Sequence, residues 1–428
     1  MDSADVITIG AGAAGLTAAI FAARTDRQVI LLERSPQAGR KILMSGGTRC
    51  NVLPVRATLD DFVTESSRNR LRNIFKSWSV ELCRKWFEEE IGLAMACETE
   101  TNKWFPKSNS AREVRDLLLQ HAESLGVRIR YSASVSSIEK EGDHWVTGTE
   151  SGQQFRAPSV IIATGGLSIP GSGTDGTGHS LVQKLGHTLH PPYPALTPLK
   201  GPHPGGWGSL PGVSLDVSLA PENLITGKQE AHPFQPAGNR SQKRDKRNIT
   251  APDAGGGFLF THKGYSGPAV LDISHVVVKA HMSGKQSAAL RVNWTGKTEQ
   301  WWRTQLDGKS DTTTLLRRHL PKRLADNLLA DNGLSERKTA QLTKQEREQL
   351  ITDVIAYRII PTGHFGFDKA EVTGGGVPLD EINPATMESR IAPGLYLCGE
   401  ILDVFGRIGG FNFYWAWVTG RLSGMRQE

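Results

Sequence analysis

The apolar residues near the start of the chain follow two spacings, which predict a strand, a helix and a second strand over residues 4–35. Val6, Ile7 and Ile9 form a short apolar run that is typical of a buried strand. Small and apolar side chains then recur at the helical period up to Ala23. The run "QVILLER" indicates the second buried strand.

A glycine-rich turn joins the first strand to the helix, and Gly10, Gly12 and Gly15 give it the spacing G-x-G-x-x-G. Ala13 and Ala14, between the last two glycines, are also expected to contact the ligand. The strand before it, the helix after it and an acid at Glu33, 18 residues past Gly15, are the context in which this spacing indicates a dinucleotide site. We expect a pyrophosphate against the turn and the helix N-terminus, and ribose hydroxyls on Glu33. The alternative is a structural turn in a domain that binds no nucleotide.

The next segment favours FAD over NAD. Residues 39–51, "GRKILMSGGTRCN", are glycine-rich, basic and polar, whereas a dehydrogenase would continue into another ordinary helix and strand. Arg40 and Lys41 are expected at the pyrophosphate. Residues 45–48 are expected against the flat flavin ring, and residues 49–51 at the edge of that ring. The candidate contacts are Arg34, Gly39, Arg40, Lys41, Ser45, Gly46, Gly47, Thr48, Arg49, Cys50 and Asn51. The alternative is a surface loop.

Two later strands, in "PSVIIATGG" and "PGLYLCGE", end in residues suited to the same ligand. Ligands of open α/β sheets lie outside the carboxyl ends of the strands. A carboxylate there can bind a ribityl hydroxyl. The predicted contacts are Thr164, Gly165, Gly166, Gly399 and Glu400. A second G-x-G-x-x-G over residues 171–176 is rejected as a nucleotide fingerprint, because "LSIP" separates it from its strand.

A helix is predicted after Gly409 and Gly410, over residues 411–423. It contains no acid, and its N-terminal N–H groups are expected at the pyrimidine end of the flavin, which becomes anionic on reduction. The candidate contacts are Gly410, Phe411 and Asn412. Two tryptophans of this helix, at positions 415 and 417, are expected in the core and not on the flavin.

The local composition changes at about residue 191, where proline and glycine become frequent, and this indicates a domain boundary. Short alternating runs follow, and residues 312–357 show a helical pattern. The predicted fold is therefore an α/β protein with a discontinuous Rossmann-like domain over residues 1–190 and 371–428. Inserted into it are a β-barrel-like domain over residues 191–310 and 358–370 and a small helical domain over residues 311–357.

Composition adds few constraints. The chain has 428 residues, 38% hydrophobic and 22% charged, with no long apolar run and no signal peptide pattern, so a cytoplasmic protein is expected. None of its four cysteines lies in a paired motif, which argues against a metal site or a redox disulfide. The net charge is +6 and the pI about 9.1, and much of the excess lies in residues 240–247, "RSQKRDKR". A solvated loop is favoured there over a nucleic-acid contact.

These motifs together resemble the bacterial FAD-dependent flavoproteins of the bile-acid 3-dehydro reductase and aminoacetone oxidase family. The segments "GRKILMSGGTRCN", "WFPKSNSAREV", "LFTHKGYSGPAVLDIS" and "GGFNFYWAW" carry the resemblance over nearly the whole chain. It implies an FAD-binding Rossmann domain with an inserted β-barrel and a small helical domain. It supports as flavin-site positions Glu33, Ser45, Gly47, Cys50, Asn51, Glu400 and Asn412. One departure is Thr48, which stands where the family has a third glycine. Two others, Arg407 and Ile408, replace smaller or polar residues near the expected flavin and bear on the substrate more than on FAD.

The leading functional hypothesis is an FAD-dependent oxidoreductase. NADH or NADPH, bound transiently, reduces the flavin, and hydride passes to a small organic acceptor or to oxygen. Weak catalytic candidates on the insert are His262, Lys263, Tyr265 and Ser266, against ordinary loop packing. The alternatives are a flavoenzyme acting on RNA, for which nucleic acid is the less expected partner, and a non-catalytic flavin sensor. The oligomeric state is not predicted.

Overall fold

We describe residues 1–24, 26–206, 208–222, 254–284 and 288–425 of a computed structural model of the protein. The chain forms two compact units. The first combines Met1–Tyr193 with Val372–Glu428, and the second is Pro194–Glu371. The finer division of the insert into β-rich and helical domains stays a prediction. The basic residues 240–247 lie outside the described residues.

The first stretch of the first unit alternates strands and helices. Its strands are β1 (Asp2–Ser3), β2 (Val6–Ile9), β3 (Val29–Leu32), β4 (Leu53–Pro54), β5 (Phe62–Val63), β6 (Met95–Glu98), β7 (Lys103–Pro106), β8 (Arg128–Arg130), β9 (Val135–Glu141), β10 (His144–Thr149), β11 (Gln154–Ala157), β12 (Ser159–Ile162) and β13 (His190–Ala195). Its helices are α1 (Ala13–Ala23), α2 (Arg40–Met44), α3 (Arg68–Lys76), α4 (Val80–Glu89), α5 (Ala111–Ser124) and α6 (Thr177–Lys184).

The second unit contains a seven-stranded antiparallel sheet in the order β19-β18-β15-β16-β17-β14-β20. Its strands are β14 (Leu199–Lys200), β15 (Ser214–Pro221), β16 (Ala254–Thr261), β17 (Gly264–Ser266), β18 (Leu290–Asn293), β19 (Tyr357–Ile359) and β20 (Gly363–His364). Its helices are α7 (Pro268–Met282), α8 (Glu299–Leu306), α9 (Thr312–Arg317), α10 (Lys322–Asp331) and α11 (Lys344–Ile355). One hydrophobic core joins these strands and helices.

Two of these helices, α7 and α8, lie in the region that the sequence predicted as β-rich. The helix α7 begins with Pro268 directly after Gly267, a favourable start, but it is rich in valine and isoleucine, which hid it from a propensity argument. Its burial in the core of the second unit outweighs that weak propensity.

The chain then returns to the first unit with β21 (Val372–Gly376), β22 (Leu395–Leu397), β23 (Phe405–Gly406) and α12 (Phe411–Gly424). The central sheet is parallel throughout, in the order β22-β12-β2-β3-β8. Helix α12 packs on α1 so closely that a Cβ at Gly420 would lie 2.5 Å from the carbonyl oxygen of Ala14. The Rossmann-like α/β fold is thus confirmed, with its edge strand β22 supplied from beyond the insert.

Candidate functional site

Four of the predicted contact segments lie at one edge of the parallel sheet. The turn after β2, Glu33 after β3, residues 163–166 after β12 and residues 398–400 after β22 all follow the carboxyl ends of their strands. This edge is where open α/β sheets bind ligands. We call the space outside it the cleft.

The three glycines of the first turn have different reasons to be glycine. Gly10 has φ +100°, and a Cβ there would lie 2.6 Å from the carbonyl oxygen of Ala163. A Cβ at Gly15 would overlap the carbonyl oxygen of Gly10. Gly12 has φ −81° and nothing within 4 Å of its Cβ position, and no side chain caps the helix that begins after it. The described chain itself therefore does not require Gly12, whereas a pyrophosphate approaching the backbone would.

Glu33 ties the second strand to this turn. Its Oε2 accepts a hydrogen bond of 2.8 Å from Ala11 N–H, and its Oε1 accepts from Ser35 N–H at 2.8 Å and Ser35 Oγ at 2.7 Å. The carboxylate is half-buried and keeps further acceptor capacity for ribose hydroxyls. The sequence argument missed Ser35, which orients the acid.

Three basic side chains that were predicted to contact the ligand are bonded to the loop 168–175. Arg34 Nη1 lies 2.5 Å from Asp175 Oδ2, Arg40 Nη2 donates to Gly171 O at 2.8 Å, and Lys41 Nζ donates to Ser168 Oγ at 2.7 Å. The rejected second glycine motif is thus a loop fastened to residues 34–41. Contact of Arg34 and Arg40 with a pyrophosphate stays a prediction.

Gly39 supports the start of this basic segment. It has φ +68°, precedes α2, and donates its N–H to Ala11 O at 2.9 Å. A Cβ there would lie 2.6 Å from Arg115 Cγ. Gly39 therefore holds α2 against the first turn.

Lys41 also forms an ion pair of 2.9 Å with Glu400, and the two side chains are 25% and 19% exposed. Glu400 Oε1 accepts from Ser168 Oγ at 2.6 Å and from Thr373 N–H at 3.0 Å. Burial would raise the pKa of Glu400, but the charge of Lys41 and these hydrogen bonds outweigh it, and the pKa lies below its usual value. Glu400 is therefore an anionic acceptor at the edge of the cleft.

The residues after β12 line the same place. Gly166 leaves no room for a side chain, since a Cβ would overlap Thr373 Oγ1 and lie 3.0 Å from Glu400 Oε1. Gly165 has φ +75°. The hydroxyl of Thr164 is buried and has no partner among the described residues.

Residues 45–51 form a compact, mostly left-handed backbone. Gly46, Gly47, Thr48 and Cys50 have φ values of 55°, 64°, 70° and 63°. Thr48, which replaces a glycine of the resembled family, therefore adopts a conformation that L side chains disfavour. The hydroxyl of Ser45 donates to Ile42 O at 2.8 Å and steadies the start of the segment.

Two side chains of this segment are buried in ways that matter for a ligand. Burial raises the pKa of the Cys50 thiol to about 12, so it stays protonated and unreactive at neutral pH. Asn51 Oδ1 is buried and has no hydrogen-bond partner among the described residues. A buried acceptor without a partner is costly, and a ligand N–H would satisfy it.

Arg49 is held by residues of and next to the β6–β7 hairpin, and its contact with the edge of the flavin ring stays a prediction. It donates to Asn109 Oδ1 at 2.9 Å and to Glu98 Oε1 at 3.4 Å, and it lies over the ring of Phe105 at 4.0 Å. These contacts give Arg49 a structural role that the sequence analysis did not predict.

The predicted last helix is confirmed as α12, and it begins beside Asn51. Gly410 precedes it with φ +91°, and a Cβ there would lie 3.1 Å from Asn51 O. The first turn, which starts with Phe411, has no acid and no side-chain cap. Its backbone N–H groups have no partner within the helix.

The side chains of α12 are used inside the protein. Asn412 Oδ1 accepts from Gly406 N–H at 2.8 Å, and its Nδ2 donates to Gly406 O at 2.9 Å, so the side chain closes the preceding loop. Its contact with flavin stays a prediction. Trp415 and Trp417 are buried and donate to Gly399 O and Val52 O, each at 3.0 Å. Both tryptophans belong to the core, as predicted.

The weak catalytic candidates are divided. His262 and Lys263 are exposed in the turn between β16 and β17, and Ser266 is half-buried. Tyr265 is fully buried and donates its hydroxyl to Pro202 O. Its placement favours packing over contact with a substrate.

Two constellations were not anticipated. The first joins His190 to Asp403, with Nδ1 2.8 Å from Oδ2. The second has the order of a hydrolase triad: Ser389 Oγ lies 2.9 Å from His187 Nε2, and His187 Nδ1 lies 2.6 Å from Glu381 Oε2. The side chain of His187 is fully buried, so no substrate can reach this second set, and it acts as a structural clamp.

Within the described residues, no group of acidic, histidine or cysteine side chains has a metal-binding arrangement. None of the described helices has the length and apolarity needed to cross a membrane.

Comparison with known proteins gives matches along nearly the full length. The HI0933-like protein Rossmann domain family matches residues 4–426. The ribosomal RNA dihydrouridine synthase of Escherichia coli (strain K12) is 30% identical over 429 residues, covering 98% of this chain and 96% of that protein. The 3-dehydro-bile acid delta(4,6)-reductase of Clostridium scindens is 32% identical over 427 residues, covering 97% of each.

Among solved structures, the 3-ketosteroid-delta4-(5alpha)-dehydrogenase of Rhodococcus jostii RHA1 superposes with a TM-score of 0.50. It is 14% identical, and the match covers 100% of this chain and 97% of that one. This likeness concerns the fold alone.

Proposed function

The chain belongs to the HI0933-like family of FAD-binding Rossmann proteins, and from this premise we propose that it reduces carbon–carbon double bonds conjugated to a carbonyl group. Membership makes it an FAD-dependent oxidoreductase. The observation that carries the proposal is the convergence of an open Gly12 and the two carboxylates Glu33 and Glu400 at one edge of one sheet.

The residues of the cleft fit FAD. Gly12 leaves the space that a pyrophosphate needs, and Asn51 Oδ1 lacks the donor that the pyrimidine edge of a flavin offers. We assign Glu33 to the adenosine ribose, Gly12 and the start of α1 to the pyrophosphate, and Glu400 to the ribityl chain. Bound FAD supplies two-electron hydride chemistry.

The first turn of α12 is assigned to the pyrimidine end of the flavin. The positive end of a helix dipole stabilises negative charge nearby, typically by about 0.3–1 kcal/mol. Residues 411–424 contain no acid that would cancel this effect. The chain therefore favours the anionic, reduced form of a bound flavin.

The names of the two full-length relatives suggest the substrate class. Dihydrouridine differs from uridine by saturation of a double bond conjugated to a ring carbonyl, and a delta(4,6)-reductase of a 3-dehydro steroid acts on double bonds conjugated to the 3-oxo group. In both, the double bond is polarised by conjugation to a carbonyl group, so hydride can add at the far end of the conjugated system. We propose a small enone as the substrate and NADH or NADPH as the transient reductant.

The test is an anaerobic half-reaction. Holoprotein reduced with dithionite is mixed with androst-4-ene-3,17-dione or 2-cyclohexen-1-one, and return of the oxidised flavin spectrum is followed. Cyclohexanone, which lacks the double bond, is the matched control. We expect reoxidation with an enone, none with cyclohexanone, and a saturated product by mass spectrometry. Indifference to both enones and to the RNA described next contradicts the proposal.

The second candidate is a uridine of RNA as the conjugated substrate. The net charge of +6 and a relative that acts on ribosomal RNA favour it. Unmodified ribosomal RNA transcript replaces the enone in the same half-reaction, and dihydrouridine is measured in the digested nucleosides. Binding that weakens steeply with salt accompanies this outcome. Turnover of RNA without turnover of enones assigns the substrate to RNA.

A further inference from the structure

The pair formed by His190 and Asp403 is anchored on one side and open on the other. Oδ2 of Asp403 accepts from His190 Nδ1 at 2.8 Å, Glu65 N–H at 2.9 Å, Thr64 Oγ1 at 3.2 Å and Ser66 Oγ at 3.3 Å. The side chain of Asp403 is 4% exposed, whereas that of His190 is 31% exposed. A buried carboxylate oxygen with four donors thus fixes an imidazole that is partly exposed to solvent.

Asp403 lies near the cleft residues along the chain, and hydrogen bonds link its segment to the start of α12. Asp403 follows Glu400 by three residues, and its N–H donates to Val377 O at 2.9 Å. The next strand, β23, pairs with β5, and the peptide of Gly406 in β23 is held by Asn412 in the first turn of α12. Asp403 therefore sits between the anionic acceptor Glu400 and the helix N-terminus assigned to the flavin.

Two other histidine–carboxylate pairs lack this combination. His187, bonded to Glu381, is fully buried. His121, on the last turn of α5, has its Nε2 3.2 Å from Glu90 Oε1. The side chain of Glu90 is 36% exposed, so this carboxylate is not a buried anchor. A buried anchor with an open imidazole beside the cleft distinguishes His190.

We propose that His190, oriented by Asp403, donates the proton that accompanies hydride transfer to the conjugated double bond. This inference rests on the proposed function. A reduced flavin in the cleft would supply hydride, with its two electrons, to the β carbon, and the electrons of the alkene π bond would move to the carbonyl oxygen as an enolate. His190 Nε2–H then gives its proton to the α carbon, which leaves the saturated carbonyl compound, oxidised flavin and neutral imidazole. Solvent returns the proton to the exposed edge of the ring.

The surroundings of the pair are consistent with this role. Burial raises the pKa of Asp403, and the bonds from His190 and Glu65 N–H act against that rise. Tyr193 is buried, and burial also raises its pKa, so its hydroxyl stays neutral. The carboxylate of Glu65 also raises the pKa of Tyr193. Thus the anion that faces His190 directly is Asp403.

The test compares the parent with His190→Gln, Asp403→Asn and, as the matched control, His121→Gln. Each holoprotein is reduced with dithionite and mixed with whichever probe the parent reduces, from about pH 5 to about pH 8, where histidine titrates. We expect the parent rate to fall as the pH rises and imidazolium is lost. His190→Gln should be slower by about 10²-fold and independent of pH, since positioned proton transfer contributes roughly 10²–10⁴-fold. Asp403→Asn, which removes the charged acceptor that orients the imidazole, should also be slower than the parent.

FAD content and thermal unfolding of each variant show whether it is folded. Asp403→Asn, which keeps the shape of the side chain, serves as the second variant if His190→Gln does not bind FAD. A parent that reduces neither enones nor RNA overturns the proposed function and this inference with it. An active parent with His190→Gln or Asp403→Asn matching His121→Gln in rate and pH profile overturns the proton donor alone.

Discussion

Substitution of Gly12 by alanine should weaken FAD binding while leaving the stability of the apoprotein nearly unchanged. The backbone at Gly12, with φ −81° and ψ −170°, is allowed for alanine, and the added methyl group meets nothing within 4 Å. Alanine is a poorer residue than glycine before a helix, but it also restricts the unfolded chain, so the net change in stability should stay within about 1 kcal/mol.

The loss should appear in FAD affinity. The methyl group occupies the space through which we expect the pyrophosphate to reach backbone N–H groups. A hydrogen bond to a charged group contributes about 1.5–3 kcal/mol. Loss of one such bond weakens binding by roughly ten- to a hundredfold, because each 1.4 kcal/mol is about tenfold in the dissociation constant.

The assay is titration of apoprotein with FAD, followed by quenching of flavin fluorescence, beside thermal unfolding of the same apoprotein. Gly15→Ala is the matched control, because its methyl group would overlap the carbonyl oxygen of Gly10 and should destabilise the fold itself. FAD affinity equal to that of the parent in Gly12→Ala would refute the placement of the pyrophosphate. Unfolding of the Gly12→Ala apoprotein would refute the claim that the fold does not need this glycine.

Three further outcomes are expected. Glu400→Gln should lower the free energy of unfolding of apoprotein at pH 7 by about 1.5–3 kcal/mol. Because the folded-state pKa of Glu400 is depressed, the parent loses this stabilisation as the pH falls below about 4. The free energies of unfolding of parent and variant, measured by urea titration, should therefore converge at low pH. A difference that stays constant with pH would contradict the ion pair with Lys41. In native protein at pH 8, exposed Cys97 should react with a thiol reagent while buried Cys50 does not, and alkylated Cys50 in the mass spectrum would contradict its burial. Acid should release FAD that carries no covalent link to the chain. Asn412→Asp places a negative charge in the first turn of α12 and should lower the flavin midpoint potential by tens of millivolts, given that about 30 mV corresponds to 1.4 kcal/mol; an equal potential in spectroelectrochemistry would mean that this helix end does not act on the flavin.

The sequence predicted the cleft where local patterns report on it. Four of the contact segments directly follow apolar strands, and parallel strands bring their carboxyl ends to one edge, so Gly12, Glu33 and Glu400 could be placed together before any coordinates. The strand–turn–helix context made the spacing specific. The same patterns predicted α12 and its buried tryptophans.

The interactions that remained hidden join residues far apart in the chain. The bond from Arg34 to Asp175 and the pair of His190 with Asp403, 213 residues apart, have no periodic signature, because loop geometry alone brings them together. Side-chain direction was equally invisible. An amide such as Asn412 reads the same in the sequence whether it faces a ligand or closes its own loop.

The assembly of the cleft from two distant stretches of chain has a consequence for biosynthesis. The turn at Gly12 leaves the ribosome early, whereas β22, Glu400 and α12 are made only after the whole second unit. Chains generally fold from the N-terminus during synthesis. Here the nascent first stretch has a sheet without its β22 edge and an α1 without its neighbour α12, so apolar surface stays uncovered for as long as the second unit takes to translate. Chaperone protection during that interval, and loading of cofactor only after it, follow from the order of the elements.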